Sequence, residues 1–183
     1  MLIDKSKVII RPEKTSEYDE VNELIFEAFT EQHGLEIGRF MKEHFIEERK
    51  RETFIPELSL VAELESGILV GEVALHETDI ITDNERITQL VLSQCAVLPE
   101  YRNQGIMRML VEYALSKARI MGYEAVFLGG DSNLYSRFGF KASSTYGIYH
   151  KDREKWGDEG YMVCVLETGA LDGVMGTTYY YGG

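Results

Sequence analysis

This chain is short of three things that would each have placed it in a different class. Cysteine is scarce: Cys95 and Cys164 are the only two, and both sit in apolar, strand-like runs. That usage predicts buried thiols in a reducing cytoplasm, not a disulfide framework. Positive charge is scarce too. Nineteen lysines and arginines stand against 31 aspartates and glutamates, a net charge of −12. A general nucleic-acid binder needs a basic face, so nucleic acid is excluded as a partner. A cationic partner such as an amine is favoured instead. Long hydrophobic runs are missing: no stretch approaches the roughly 20 apolar residues of a membrane span. Met1-Leu2-Ile3-Asp4-Lys5 lacks the apolar core of a signal peptide. No membrane partner is therefore expected, and the location expected is cytoplasmic. The chain also has no Gly-x-x-x-x-Gly-Lys-Ser/Thr phosphate loop and no Gly-x-Gly-x-x-Gly fingerprint. Its four histidines, His33, His44, His76 and His150, show no close ligand spacing, so no metal is expected.

What the chain does have is a particular strand-to-helix turn. In Val97-Leu98-Pro99-Glu100-Tyr101-Arg102-Asn103-Gln104-Gly105-Ile106-Met107-Arg108 a β-rich run ends at a proline and a basic, glycine-containing turn follows. The helix after it has apolar positions at Met107, Leu110, Val111, Ala114, Leu115, Ala118 and Met121, steps of three and four, with Gly122 as its stop. The first N–H groups of a helix have no partner inside it, and they and the helix dipole favour an anion. The turn therefore predicts a phosphate site.

The rest of the pattern is a mixed α/β or α+β layer fold in one domain over residues 1–183. Lys7–Arg11 reads as a short strand. Thr15–Phe29 and Leu35–Arg49 read as helices. Leu58–Leu64 and Ile68–His76 read as an antiparallel hairpin around Glu65-Ser66-Gly67, and Gln89–Leu98 as a third long strand. Ala125–Leu128 is a short buried strand and Leu134–Phe138 a brief helix. Two further strands are expected at Ser143–Tyr149 and Tyr161–Leu166. The charged run Glu47-Glu48-Arg49-Lys50-Arg51-Glu52 reads as a solvated helix end.

The run Gln94–Met107 resembles the acetyl-CoA motif of the GNAT superfamily of N-acetyltransferases, Arg/Gln-x-x-Gly-x-Gly/Ala entered from a strand ending in Val-x-Pro. Leu128-Gly129-Gly130-Asp131-Ser132-Asn133-Leu134-Tyr135-Ser136-Arg137-Phe138-Gly139-Phe140 resembles the superfamily's second signature, a tyrosine ahead of Gly-Phe. The tail from Leu166 to Gly176 is similar to that of a bacterial subgroup of predicted N-acetyltransferases. The fold this resemblance implies is a twisted, mostly antiparallel central sheet of about seven strands, splayed in the middle, with helices on both faces.

The resemblance implies acetyl-CoA as cosubstrate. Its pyrophosphate would lie on Arg102, Asn103, Gln104, Gly105, Ile106, Met107 and Arg108, with two guanidinium groups adding to the backbone donors. Gly105 lets the backbone approach without a Cβ. Met107 departs from the family's Gly or Ala, and its side chain must turn away from the phosphate. The pantetheine arm would pair like an added strand with Cys95, Ala96 and Val97, a backbone N–H, that of Cys95, polarising the thioester carbonyl. Asn133 matches a position that holds the cofactor arm. No acetyl-cysteine is implied.

Tyr135 matches the family's general acid, which protonates or hydrogen-bonds the departing thiolate. The amine must first lose a proton, and the candidate bases are Glu72 and His76, four apart on one strand and so on one face; Glu63 and Asp131 are weaker candidates. The function implied is an acyltransferase, an acetyl-CoA-dependent N-acetyltransferase that acts by direct attack in a ternary complex. Its acceptor is a primary amine on a small molecule or protein. The loops Gln32–Phe54 and Tyr149–Gly160 border the acceptor. The alternative is a non-catalytic coenzyme A-binding regulatory module. The apolar Tyr179-Tyr180-Tyr181 tail makes a homodimer a candidate assembly.

Overall fold

The computed structural model describes residues 3–179, without the side chains of Arg153 and Trp156. Tyr180 and Tyr181 of the tail, and Met1 and Leu2, lie outside the described residues. In chain order the elements are β1 (Ile9–Pro12), α1 (Tyr18–His33), α2 (Leu35–Glu48), β2 (Phe54–Glu63), β3 (Leu69–Ile81), β4 (Arg86–Val97), α3 (Ile106–Ile120) and β5 (Ala125–Gly129). Then come α4 (Ser132–Tyr135), β6 (Lys141–Ala142), β7 (Ile148–His150), α5 (Arg153–Gly160), β8 (Tyr161–Val165) and β9 (Gly176–Thr178). This is a mixed α/β fold with a largely antiparallel, open sheet. Its described strands exceed the predicted set because β6 and β9 have only 2 and 3 residues, too few to show an alternation. The α5 helix replaces an expected loop. Its sequence carries no apolar stripe, and Gly157 (φ 65°) breaks it.

Packing divides the chain into two compact units. One takes the chain to Leu75 and then Gln94–Ala114; the other takes His76–Ser93 and the chain from Leu115 onward.

In the first unit β1 pairs antiparallel with β2, from Ile9 opposite Glu63 to Pro12 opposite Leu60. The hairpin from β2 to β3 closes on the Leu64 N–H donated to Ile68 O at 2.9 Å. Val21, Leu24, Ile25 and Ala28 put one stripe of α1 into the core. Gly34 (φ 93°) ends α1, with its N–H on Thr30 O, and α2 starts at the next residue. Phe45 of α2 joins that stripe with Val61, Ala74 and Ala96. Gly71, three residues before Ala74 and so on the opposite face of β3, backs onto α3. A Cβ there would stand 3.0 Å from Ile106 Cγ2 and from Leu110 Cδ1. In this unit helices thus cover both faces of β3.

Between α1, α2 and the strands lies a buried polar cluster that corrects the reading of Glu47–Glu52. Glu48 is buried, and Arg49 points inward. The Arg49 guanidinium donates to Glu13 at 2.9 and 2.6 Å and to Asn22 Oδ1 at 2.5 Å. It also stacks on the rings of Tyr18 and Phe45 at 4.2 and 4.1 Å. The Ser59 hydroxyl donates to the same Glu13 at 2.6 Å. No local pattern signals this, because the partner carboxylate lies 36 residues away in sequence.

In the second unit β4 runs parallel to β5, and their pairing is confined to Leu90 with Val126 and Val91 with Phe127. Gln89 Oε1 fastens the start of β5 by accepting from the Glu124 and Ala125 N–H groups, each at 3.0 Å. β5 then runs on to Gly129 with β8 as its antiparallel partner. The β4–β5 ladder thus stops early, as expected of a splayed sheet. β9 pairs with β3 and β7 with β9. Ile80, Val91, Phe127, Ile148, Tyr161 and Val163 form this unit's core.

Replacing Arg49 by Met leaves Glu13 buried without its cation, and breaking such a pair costs about 3–5 kcal/mol. Urea unfolding of Arg49→Met is expected to register that loss. Lys50→Ala, which removes an exposed pair with Glu47, should cost less than about 1 kcal/mol. Equal losses would contradict the buried cluster.

Candidate active site

In the first unit β4 alternates as it approaches its end: Gln94 and Ala96 are buried, Cys95 and Val97 half-buried. Pro99 opens a single 3-10 turn to Tyr101. Two left-handed residues follow, Asn103 (φ 59°) and Gly105 (φ 86°), and turns of this kind can aim successive N–H groups into one concavity. α3 begins at Ile106, and the Met109 N–H donates to Gly105 O at 3.1 Å. The N–H groups of Ile106, Met107 and Arg108 precede the first intrahelical bond. Ile106 and Leu110, both buried, anchor the helix from below. Met107 is half-buried and Arg108 exposed.

Both arginines of the turn have partners within the protein. Arg102 Nε donates to Val97 O at 3.1 Å, and Arg102 Nη2 donates to Ala28 O at 2.7 Å. Its remaining nitrogen pairs with Glu31. The guanidinium is therefore spent on joining the end of β4 to the end of α1. Arg108 pairs with Glu112 one turn along α3 at 2.9 Å. The Gln104 side chain also braces the loop. It accepts from the Ile3 N–H at 2.9 Å and donates to Glu100 O at 3.1 Å. What stands over Gly105 is Lys5: a Cβ on that glycine would meet Lys5 Nζ at 3.0 Å and Cε at 3.3 Å. Sequence reasoning had no signal for this, since Lys5 belongs to a turn 100 positions away.

Glu72 lies on β3 in the same unit. It is 1% exposed, and among the described residues neither carboxylate oxygen makes a well-formed hydrogen bond, the Gln94 amide being the polar side chain that reaches towards it. Gln94, on the neighbouring strand, is buried, and among the described residues its amide atoms likewise make no well-formed hydrogen bond. Burial holds the Glu72 carboxyl well above its usual range, and the Glu13 and Glu48 charges add to that; Arg49 and Gln94 oppose it. Such a carboxyl is a proton acceptor much closer to neutral than a surface glutamate. Gln94 escaped sequence reasoning, although a polar residue at a buried position of a strand is the signal that could have found it. Burial, with the Glu72 charge, also raises the Cys95 thiol, which disfavours a thiolate there. Glu63 is committed to Arg11 at 2.5 Å.

In the second unit His76, the other candidate base, is 1% exposed. Asp131 caps α4 by accepting from the Asn133 N–H at 2.9 Å; Asn133 itself is exposed. Tyr135 closes α4, its ring tilted against Phe138 at 6.3 Å and edge-on to Phe140 at 5.9 Å. Gly130 makes room for that ring, because a Cβ there would come to 2.9 Å of Tyr135 Cε2. Among the described residues no group of three or more His, Cys, Asp or Glu could hold a metal. No described helix is long and apolar enough to cross a membrane.

The acetyltransferase (GNAT) domain model matches residues 9–143, and the chain belongs to that family. It is 35% identical over 126 residues to the uncharacterised N-acetyltransferase YhbS of Escherichia coli K12, spanning 68% of this chain and 72% of that one. The crystal structure of Escherichia coli YhbS in complex with CoA superposes with a TM-score of 0.82 at 27% identity, covering 99% of this chain and 94% of that one. A GNAT acetyltransferase of Brucella melitensis in complex with acetyl-CoA shares the fold, with a TM-score of 0.72 at 24% identity over 95% and 96% of the two chains.

The Glu72 carboxyl sets a pH dependence. Its pKa is raised in the folded state, so above about 4.5 the folded protein binds a proton that the unfolded chain has released. That contribution to stability is full below the unfolded pKa and falls as pH rises. Glu72→Gln removes the fall. Thermal unfolding from pH 5 to pH 8 should show the variant gaining on the wild type as pH rises. A constant difference would contradict a proton held on Glu72.

Proposed function

We propose that this protein transfers an acetyl group from acetyl-CoA to a primary amine of a small molecule or protein, by direct attack within a ternary complex. The observation that carries the reading is the turn into α3. A left-handed Gly105 precedes a helix start whose N–H groups have no partner inside the helix, in a chain of the GNAT family. The residues fit a pyrophosphate: backbone donors from Asn103 to Arg108, the helix dipole, and no Cβ at Gly105. Cys95, Ala96 and Val97 would take the pantetheine arm along β4, whose ladder with β5 stops at Val91. Asn133 is retained as a contact to that arm.

The amine nitrogen attacks the thioester carbonyl, the C–S bond breaks, and coenzyme A departs as a thiolate that takes up a proton. The amine's own proton passes to a base. Glu72 is the base this reading favours, because its raised carboxyl pKa narrows the gap to an alkylamine. His76, on the same face of β3, is the second candidate. Tyr135 supplies the proton or hydrogen bond to the thiolate, a role that rests on its place ahead of Gly139-Phe140. A polarising N–H from Cys95 would act only as charge develops on the carbonyl oxygen.

Two measurements test this. Calorimetric titration with acetyl-CoA should show binding to the wild type that Gly105→Glu abolishes, since the variant puts a carboxylate where a phosphate must approach. Unaltered affinity would place the cofactor elsewhere. For an amine acceptor that supports turnover, Tyr135→Phe should lower kcat by about 10²–10⁴-fold, the range for general-acid catalysis, with the KM for acetyl-CoA little changed. An unchanged kcat would remove Tyr135 from the chemistry.

A further inference from the structure

Coenzyme A brings its charge as phosphate, yet the two arginines of the signature loop are already engaged, Arg102 with α1 and β4 and Arg108 with Glu112. In a chain this acidic most cations near the first unit's surface have a carboxylate. Lys7 pairs with Glu65, Lys14 with Glu17, Lys42 with Glu23 and Lys50 with Glu47. Lys5 does not: among the described residues its ammonium makes no hydrogen bond or ion pair.

Its placement is built and not incidental. Asp4 caps the 3-10 turn Lys5–Lys7, accepting from the Ser6 N–H at 3.1 Å and the Ser6 hydroxyl at 2.7 Å. The Val8 N–H closes the turn on Lys5 O. Immediately before it, the Ile3 N–H is tied to Gln104 Oε1, so the turn is fastened to the very loop that carries Gly105. The Lys5 stem then lies along Gly105, with Cδ, Cε and Nζ at 3.9, 3.3 and 3.0 Å from the position a Cβ would take. The missing side chain of Gly105 therefore serves two purposes: it bares the backbone, and it seats a lysine stem.

We propose that Lys5 is a phosphate-binding residue of the acetyl-CoA site, its ammonium supplying at the Gly105 loop the positive charge for the cofactor's pyrophosphate that Arg102 and Arg108 do not. The proposal rests on the pyrophosphate lying at this loop. It gives Gln104 a function as well, as the residue that fastens the lysine-bearing turn. It also explains how a loop whose own guanidiniums are occupied can hold a doubly charged group.

The test is calorimetric titration of the wild type, Lys5→Met, Lys5→Arg and Gly105→Glu with three probes: acetyl-CoA, dephospho-coenzyme A, and S-acetylpantetheine. Met keeps the stem against Gly105 and removes the charge, and Lys5 is exposed, so the fold is retained. Lys5→Met is expected to weaken acetyl-CoA and dephospho-coenzyme A by the same five- to tenfold factor. It should flatten the salt dependence of both, leave S-acetylpantetheine unchanged, and be restored by Arg. Equal affinity of Lys5→Met and wild type for acetyl-CoA overturns the proposal. So does a loss confined to acetyl-CoA, which would assign Lys5 to the 3′-phosphate, or a loss that includes S-acetylpantetheine, which would make Lys5 merely structural. Full affinity in Gly105→Glu, or no binding by the wild type, would instead remove the pyrophosphate from this loop, and this proposal with it.

Discussion

One guanidinium sets the geometry on which the candidate site depends. Arg102 holds Val97 O at the end of β4, Ala28 O in α1 and the Glu31 carboxylate at once. Its planar fork can satisfy several acceptors in fixed directions, which a lysine could not. With those ends joined, the short path from Val97 to Ile106 has little freedom. The left-handed residues Asn103 and Gly105 turn it into α3, whose first N–H groups have no partner inside the helix. The residue that resembles a phosphate ligand in sequence is thus a brace of the loop proposed to hold the phosphate.

A second constraint belongs to the same unit. Arg49, Glu13, Asn22 and Ser59 form a buried network roofed by Tyr18 and Phe45. Close to it, Glu72 and Gln94 are buried and make no well-formed hydrogen bond among the described residues. Buried polar groups are ordinarily satisfied, and those that are not call for a reason. Under the proposed function the reason is chemical. A carboxyl that has lost its solvation binds a proton more tightly, and an amine acceptor must give one up. The desolvation that destabilises the fold at this point is what would suit Glu72 to act as a base.

The sequence made the architecture legible wherever a period could show itself. The stripe Val21, Leu24, Ile25, Ala28 announced α1, and the steps of three and four from Met107 announced α3. The hairpin turn at Glu65-Ser66-Gly67 followed from its turn residues, and the open sheet from the family resemblance. What escaped was non-local. Nothing near Arg49 tells that its partner is Glu13, so the charged run reads as a solvated helix end although Glu48 and Arg49 are interior. Nothing near Arg102 tells that Glu31 and two carbonyls will claim it. Lys5 sits in a turn with no motif, and its relation to Gly105 exists only in the folded chain. The candidate site was therefore readable as a backbone feature, while the side chains that serve that backbone were not.

The most direct measurement follows amide chemical shifts of ¹⁵N-labelled protein during titration with coenzyme A. The account predicts that the largest perturbations fall on the backbone N–H groups from Asn103 to Arg108, with a second set along Cys95 to Val97. Perturbations concentrated elsewhere, with the Gly105 amide unmoved at saturation, would contradict it.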